Sequence, residues 1–390
     1  MPQSSDVLII GGGLVGLSLA RALAGSGLEL ALIEPQPPRK STHDAATWDN
    51  RVYALSPGTV AFLEHCGAWS RLPQERVTRV EAMRIYGDDT RACLDFSAYD
   101  AGLRELAFIV EGRPLQDALR DAVRAQDMRT HWPAEWRSLE FQPDHVAATL
   151  EGGTVLRARL AVGADGAESR VRTQAGIEVR PADYGQLGVV ANFSCQKPHE
   201  GVAYQWFRRD GVLALLPLPG ERVSMVWSIA QERGRELVAL PAAALAAEVE
   251  SATHGALGAL EVITPAAGFP LRLQRVTHFT KPRVALAGDA AHNLHPLAGQ
   301  GLNLGFRDAR ALAEVLCKRG PQRDCGDYAL LRRYERARRE DVLAMQLATD
   351  GLQKLFNNEV VWLAGVRNLG LTLLNGQPLL KNFLVHRAVA

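Results

Sequence analysis

Three glycines near the start of the chain, Gly11, Gly13 and Gly16, stand in the spacing G-x-G-x-x-G. They lie between an apolar, β-branched run, Asp6 to Ile10, and a stretch from Leu14 to Leu23 with apolar residues at helical spacing. In that setting the first glycine permits a tight strand-to-helix turn, the second lets backbone approach a pyrophosphate, and the third lets helix pack closely on strand. Backbone N–H groups at the helix start would face the phosphates, helped by the helix dipole. Glu34 follows the next apolar run, Leu28 to Ile33, where a carboxylate can accept hydrogen bonds from an adenosine ribose. The chemistry this implies is dinucleotide binding. The pattern does not separate FAD from NAD, and Glu34 argues only against a 2′-phosphate in this pocket.

Two later segments have the same strand–loop–helix setting. One runs Gly163-Ala164-Asp165-Gly166-Ala167-Glu168-Ser169-Arg170-Val171-Arg172. The other is Gly288-Asp289-Ala290-Ala291-His292, with Pro296, Gly299, Gly301 and Asn303 shortly after. Asp165 and Arg172 admit two readings, a buried ion pair that holds a turn or a direct contact with a cofactor. His292 and His295 form H-x-x-H without a third ligand at metal spacing, so a structural or cofactor-side role is favoured over a metal site.

Together the three segments resemble the flavoprotein aromatic hydroxylases, single-component FAD monooxygenases of the p-hydroxybenzoate hydroxylase fold. Asp165, Gly166, Ser169 and Arg172 match that family's D-G-x-x-S-x-x-R motif, and Gly288 with Asp289 its G-D motif. The stretch from Gly288 to Asp308 is similar to the ubiquinone-biosynthesis branch, as are Arg51 to Leu55, Val110 to Arg113 and Leu213 to Leu218. The resemblance implies that Asp289 accepts hydrogen bonds from ribityl hydroxyls and that Gly299 and Gly301 let backbone approach the flavin ring edge. The helix that follows would point its positive end at the reduced ring. Asn303 would add a donor or cap that helix. Arg51 and Arg113 resemble the family's arginines near the flavin and its phosphates, where a planar fork binds phosphate or stacks on a ring.

The elements that must position these residues are legible as alternating strands and helices. After the first βαβ unit, Ser56 to Trp69 reads as a helix capped by Ser56, and Val80 to Phe96 as a strand pair. Gly112 to Ala125 reads as a helix, and Val146 to Val162 as a hairpin turned at Gly152-Gly153. From Pro181 to Leu271 strand-like runs dominate. The expected fold is α/β: a Rossmann-like FAD-binding domain (1–79, 97–180 and 272–340), an inserted, mainly antiparallel substrate domain (80–96 and 181–271), and a helical C-terminal region (341–390). The strands Val212 to Pro217 and Arg222 to Ile229, with Trp206, Phe207 and Trp227 in or near them, are expected to roof the flavin.

Composition narrows the class. The 390 residues carry 44 Lys plus Arg against 43 Asp plus Glu, a net charge of +1, so no basic excess marks a nucleic-acid binder. Five cysteines, without a C-x-x-C pair, argue against a disulfide framework or zinc site and for a reducing compartment. No secretory or membrane-spanning pattern is evident, so a cytoplasmic protein is expected, with contact at a membrane surface left open. The apolar stretch from Leu352 to Leu363 could cover a prenyl tail, meet a partner or membrane, or pack as a terminal helix.

The function the resemblance implies is hydroxylation of the aromatic ring of a polyprenylated phenol or quinol by O2, through a C4a-hydroperoxyflavin, in ubiquinone biosynthesis. With one dinucleotide fingerprint, NAD(P)H or another electron donor would bind transiently. A biosynthetic complex or homo-oligomer is an expected partner class. The alternatives are a flavin-dependent reductase of the geranylgeranyl-reductase type and a non-catalytic FAD-binding scaffold.

Overall fold

The computed structural model describes residues 3–37, 47–87, 93–293 and 300–356. Its first sheet grows from Gln3–Ile10, whose apolar run is buried on both faces, with Val7, Leu8 and Ile9 fully inaccessible. That strand pairs in parallel with Leu30–Ile33 on one side and Val155–Gly163 on the other. Val284–Leu286 and Arg129–His131 extend the parallel array outward. The helices Leu14–Ala22, Gly112–Arg124 and Gln300–Cys317 cover the array, the first packing against both others. This is the layered arrangement that fully buried strands demand.

The second sheet has nine strands. They come from Ala82–Tyr86, Cys93–Ser97 and the span 179–276, with the short piece His292–Asn293 at one edge. Pairing is antiparallel except where Val202–Arg208 lies parallel to Ala82–Tyr86. The helices Gln231–Ala239 and Ala242–Ala252 pack on this sheet. The intervening core holds Phe193, Leu213, Met225 and Ile229. A small third sheet, Val52–Leu55, Ala107–Glu111 and Thr78–Val80, lies between the two larger ones in sequence order and carries the Arg51 and Arg113 segments at its ends.

Most expected elements form where the pattern places them. The helix expected over Ser56 to Trp69 is shorter, Pro57–His65, with Ser56 capping it by accepting from the Thr59 N–H. It stops because Gly67 takes the left-handed conformation, φ 68°, and Trp69–Arg71 forms a separate turn of 3₁₀ helix. The C-terminal helix Tyr328–Phe356 is present, and residues 357–390 lie outside the described residues.

The strands expected as a roof do face the interior space, but two of the three aromatics do not. Trp206 and Trp227 belong to the core beneath the covering helices, where Trp206 stacks between Tyr86 and Tyr204 at 5.5 and 5.7 Å. Strand alternation decides this. Their neighbours Gln205 and Val226 take the opposite face.

Candidate flavin and substrate site

The three glycine-containing segments meet. A Cβ on Gly11, whose φ is 114°, would lie 2.3 Å from the Ala164 carbonyl oxygen, and one on Gly16 would lie 1.9 Å from the Gly11 oxygen. The Ala164 N–H donates to the Ile10 carbonyl at 2.8 Å, which ties the second segment to the first. The third is tied in through Val15, whose side chain a Cβ on Gly288 or Gly305 would strike at 3.0 or 2.7 Å. Arg172 then bridges the second segment to the third by donating to the Ala290 carbonyl at 3.1 Å.

This convergence forms one wall of a cavity of about 1600 Å³. The space exceeds the usual small-molecule pocket and suits a dinucleotide together with a substrate. Gly13 starts the helix Leu14–Ala22 without a side-chain cap, and a Cβ there would meet no protein atom within 4 Å. Bare N–H groups at the helix start therefore face open space, which fits an anionic pyrophosphate. Gly301 is likewise open to the cavity. Glu34 lines it while accepting from the Gly12 N–H at 2.6 Å and the Gln36 N–H at 2.9 Å, so its carboxylate is held at the rim.

Arg51 and Arg113 also line the cavity, and one residue presents both. Asp49 accepts from the backbone N–H groups of Arg51 and Arg113, each at 3.0 Å, and its carboxylate pairs with the Arg113 guanidinium at 3.7 Å. Buried Glu111 in turn fixes the loop by accepting from the Asp49 N–H at 2.7 Å and from Arg76. Neither acid was singled out from sequence, although Glu111 sits inside a segment that carried the resemblance. Nothing local marks them, because their partners are up to 64 residues away.

Asp165 and Arg172 do not form the pair that one reading expected. The Asp165 carboxylate accepts from Ser169 Oγ at 2.6 Å and the Val171 N–H at 3.1 Å, closing the turn before the helix Arg170–Gln174. Arg172 turns instead to the carbonyls of Ala167 and Ala290. Asp165 still borders the cavity. Asn303 also departs from expectation. Its Oδ1 accepts from the Ser56 N–H and Thr59 Oγ1 and its Nδ2 donates to the Ala54 carbonyl, so it staples the helix Gln300–Cys317 to neighbouring elements. The side chain is buried away from the cavity because those backbone groups need partners more than the open space does. Pro296, Gly299 and His295 lie outside the described residues.

Asp289 reaches the cavity from a single turn of 3₁₀ helix, Gly288–Ala290, at the end of strand Val284–Leu286. The side chain is exposed to the open cavity, but the protein surrounding that cavity desolvates the carboxyl and raises it above the usual aspartate range, with His292 and Arg51 pulling it partly back. Behind it stands a group that sequence reading left without a role. Asp308, fully buried, accepts from the Gly288 N–H at 2.9 Å, lies 2.6 Å from His292 Nε2 and accepts from Arg338 Nε at 2.7 Å. Burial would raise the Asp308 carboxyl, but His292 and Arg338 together hold it below the usual range. His292 is thus structural, joined to Asp308 and the last helix.

The opposite wall is the inner face of the second sheet. Val190, Ala214, Leu216 and Val226 present apolar side chains to the same space. One wall is suited to a polar dinucleotide and the other to a hydrocarbon-rich ligand.

Comparison with known proteins identifies the family. A family model described as "FAD binding domain" matches residues 4–348. The chain is 37% identical over 389 residues to a ubiquinone hydroxylase, UbiL, of Rhodospirillum rubrum, covering 99% of this chain and 89% of that protein. It is 36% identical over 373 residues to the 3-demethoxyubiquinol 3-hydroxylase of Escherichia coli, covering 95% and 94%. Among solved structures, PqsL of Pseudomonas aeruginosa, described as a probable FAD-dependent monooxygenase, superimposes with a TM-score of 0.79 at 23% identity. That match covers 95% of this chain and 100% of PqsL, and shows a shared fold.

Proposed function

Because the chain belongs to the FAD-binding-domain family, in the branch that contains the ubiquinone hydroxylases, we propose that this FAD-dependent monooxygenase hydroxylates the aromatic ring of a polyprenylated phenol or quinol during ubiquinone biosynthesis. The observation that carries the reading is the two-sided cavity, with three glycine-bearing turns on one wall and an apolar sheet face on the other. When bound, FAD supplies the two-electron activation of O2 that no protein side chain provides.

The residues present fit that group. In this proposal the Leu14–Ala22 helix start at Gly13 holds the pyrophosphate, and Glu34 holds the adenosine ribose. Asp289 accepts from the ribityl chain, and Arg51 and Arg113 supply positive charge near the phosphates. Gly11, Gly16 and Gly288 let the segments approach closely enough to form the cradle. Asp165 and Asn303 act by fixing the turn and the helix that border it. Gly301, in the first turn of the helix Gln300–Cys317, is proposed to meet the flavin edge, and Pro296 and Gly299, just before it in sequence, carry the same proposal from the family motif. The division into an FAD-binding unit and a substrate unit follows the two walls.

The sheet face positions the aromatic ring and excludes water, so that oxygen transfer competes with loss of oxidising equivalents as hydrogen peroxide. NAD(P)H is the proposed electron donor. The test is to express the protein in cells that lack each ring-hydroxylation step of ubiquinone biosynthesis and identify the products by mass spectrometry. Restored hydroxylation at one position is expected. Failure in every such strain, from a yellow, FAD-loaded protein, would overturn the substrate assignment.

A further inference from the structure

Within the mainly apolar stretch of the second sheet that faces the cavity, one polar side chain has the chemistry to hold a substrate oxygen. In register across the sheet, Gln205 stands opposite Ala214, Ala214 opposite Val226, and Val226 opposite Val190. All four border the cavity. The row therefore sets a single carboxamide among hydrocarbon side chains, on the face across from the flavin cradle.

Gln205 is only 5% exposed, yet its amide makes no hydrogen bond or ion pair among the described residues. Its polar atoms are not among the buried atoms shut off from all accessible space, so the amide opens on the cavity. Ser228, two strands over and also lining the cavity, does not pair with it. Once a ligand fills the cavity and displaces water, an amide left without a partner there is costly. A strand position that tolerates Ala214 or Val226 next door has no packing need for such a group.

We propose that Gln205 is the residue that recognises the ring oxygen of the substrate. This deepens the reading of the cavity as a prenylated-phenol site and rests on it. A carboxamide offers one acceptor and two donors, so it accepts the proton of a phenol hydroxyl and can also donate to the same oxygen. A prenyl tail has no polar group to satisfy it. Gln205 thus selects the orientation in which the oxygenated ring, and not the tail, occupies this part of the chamber. It also discriminates against rings whose oxygen is blocked, because those leave the amide unpaired.

The test uses the FAD-loaded full chain and two probes, 2-geranylphenol and its methyl ether, with binding read from the change in the flavin absorption spectrum. The wild type should bind the phenol about tenfold more tightly than the ether. Gln205→Met, of similar length but without the amide, should erase that preference by weakening phenol binding while leaving ether binding and FAD content unchanged. Gln205→Leu provides a second apolar variant should the first lose FAD. Full discrimination retained in either FAD-loaded variant overturns the proposal, and so does a wild type that binds the two probes equally. A wild type that binds neither probe overturns the substrate reading itself, and with it this inference. That result is distinguishable from the others.

Discussion

At the scale of single residues, Gly13 and Gly16 separate binding from folding. Gly16→Ala places a methyl 1.9 Å from a backbone oxygen. The strand-to-helix turn must shift, at a cost of at least about 3 kcal/mol, and both Tm and FAD content should fall. Gly13→Ala meets no protein atom within 4 Å. Its apo-protein stability should stay within about 0.5 kcal/mol of wild type while FAD affinity falls at least about tenfold. Thermal melts of the apo-proteins and FAD titrations read the two effects separately.

The two aspartates of the third segment should respond oppositely to pH. The folded-state carboxyl of Asp308 is held below its ordinary value. It therefore stabilises the fold at pH above the unfolded value, and that contribution is lost as pH falls through the lower folded value. Asp308→Asn leaves Arg338 without its buried partner and should cost about 3 kcal/mol near pH 7, with a smaller deficit in acid. Urea denaturation at pH 7 and pH 4 measures both. Asp289 is raised instead, so its charge opposes folding at neutral pH. Because the side chain is exposed to the cavity and screened there, Asp289→Asn should change apo-protein stability at pH 7 by less than about 0.5 kcal/mol, towards higher stability, and weaken FAD binding, as read by denaturation and flavin titration.

At the scale of elements, the glycine motifs were legible because each sits at a junction where periodicity changes from two to 3.6. The inner and outer faces of the second sheet were not. Alternation separates Gln205 from Trp206 and Ser224 and Ser228 from Trp227, but it does not say which of the two faces a cavity takes. Only the helices Gln231–Ala239 and Ala242–Ala252, packed on the other side, decide it, and the first of these was not foreseen. The inner face makes its own prediction. Ala214→Phe adds a ring to the apolar wall without touching the flavin cradle. FAD content should be unchanged, while hydroxylation of 2-geranylphenol falls at least about tenfold and hydrogen peroxide release per NAD(P)H oxidised rises. Product and peroxide assays on one preparation measure both.

For the molecule as a whole, the proposed function has cofactor and substrate share one cavity because two sheets of different character close on it. The fold was legible in the spacing of three motifs distributed over nearly 300 residues. Their convergence depends on long-range ties such as Gly11 to Ala164 and Arg172 to Ala290, which no local window contains. The same holds for Asp308, His292 and Arg338, a buried cluster that joins the last helix to the flavin side of the site. Among the described residues no helix is long and apolar enough to cross a membrane.

The most direct measurement supplies the FAD-loaded protein with NAD(P)H, 2-geranylphenol and ¹⁸O₂ in ordinary water, and follows the product by mass spectrometry. The account predicts a ring-hydroxylated phenol that carries one ¹⁸O atom. A product with a reduced prenyl chain and no added oxygen, or a hydroxyl group drawn from water, would contradict it.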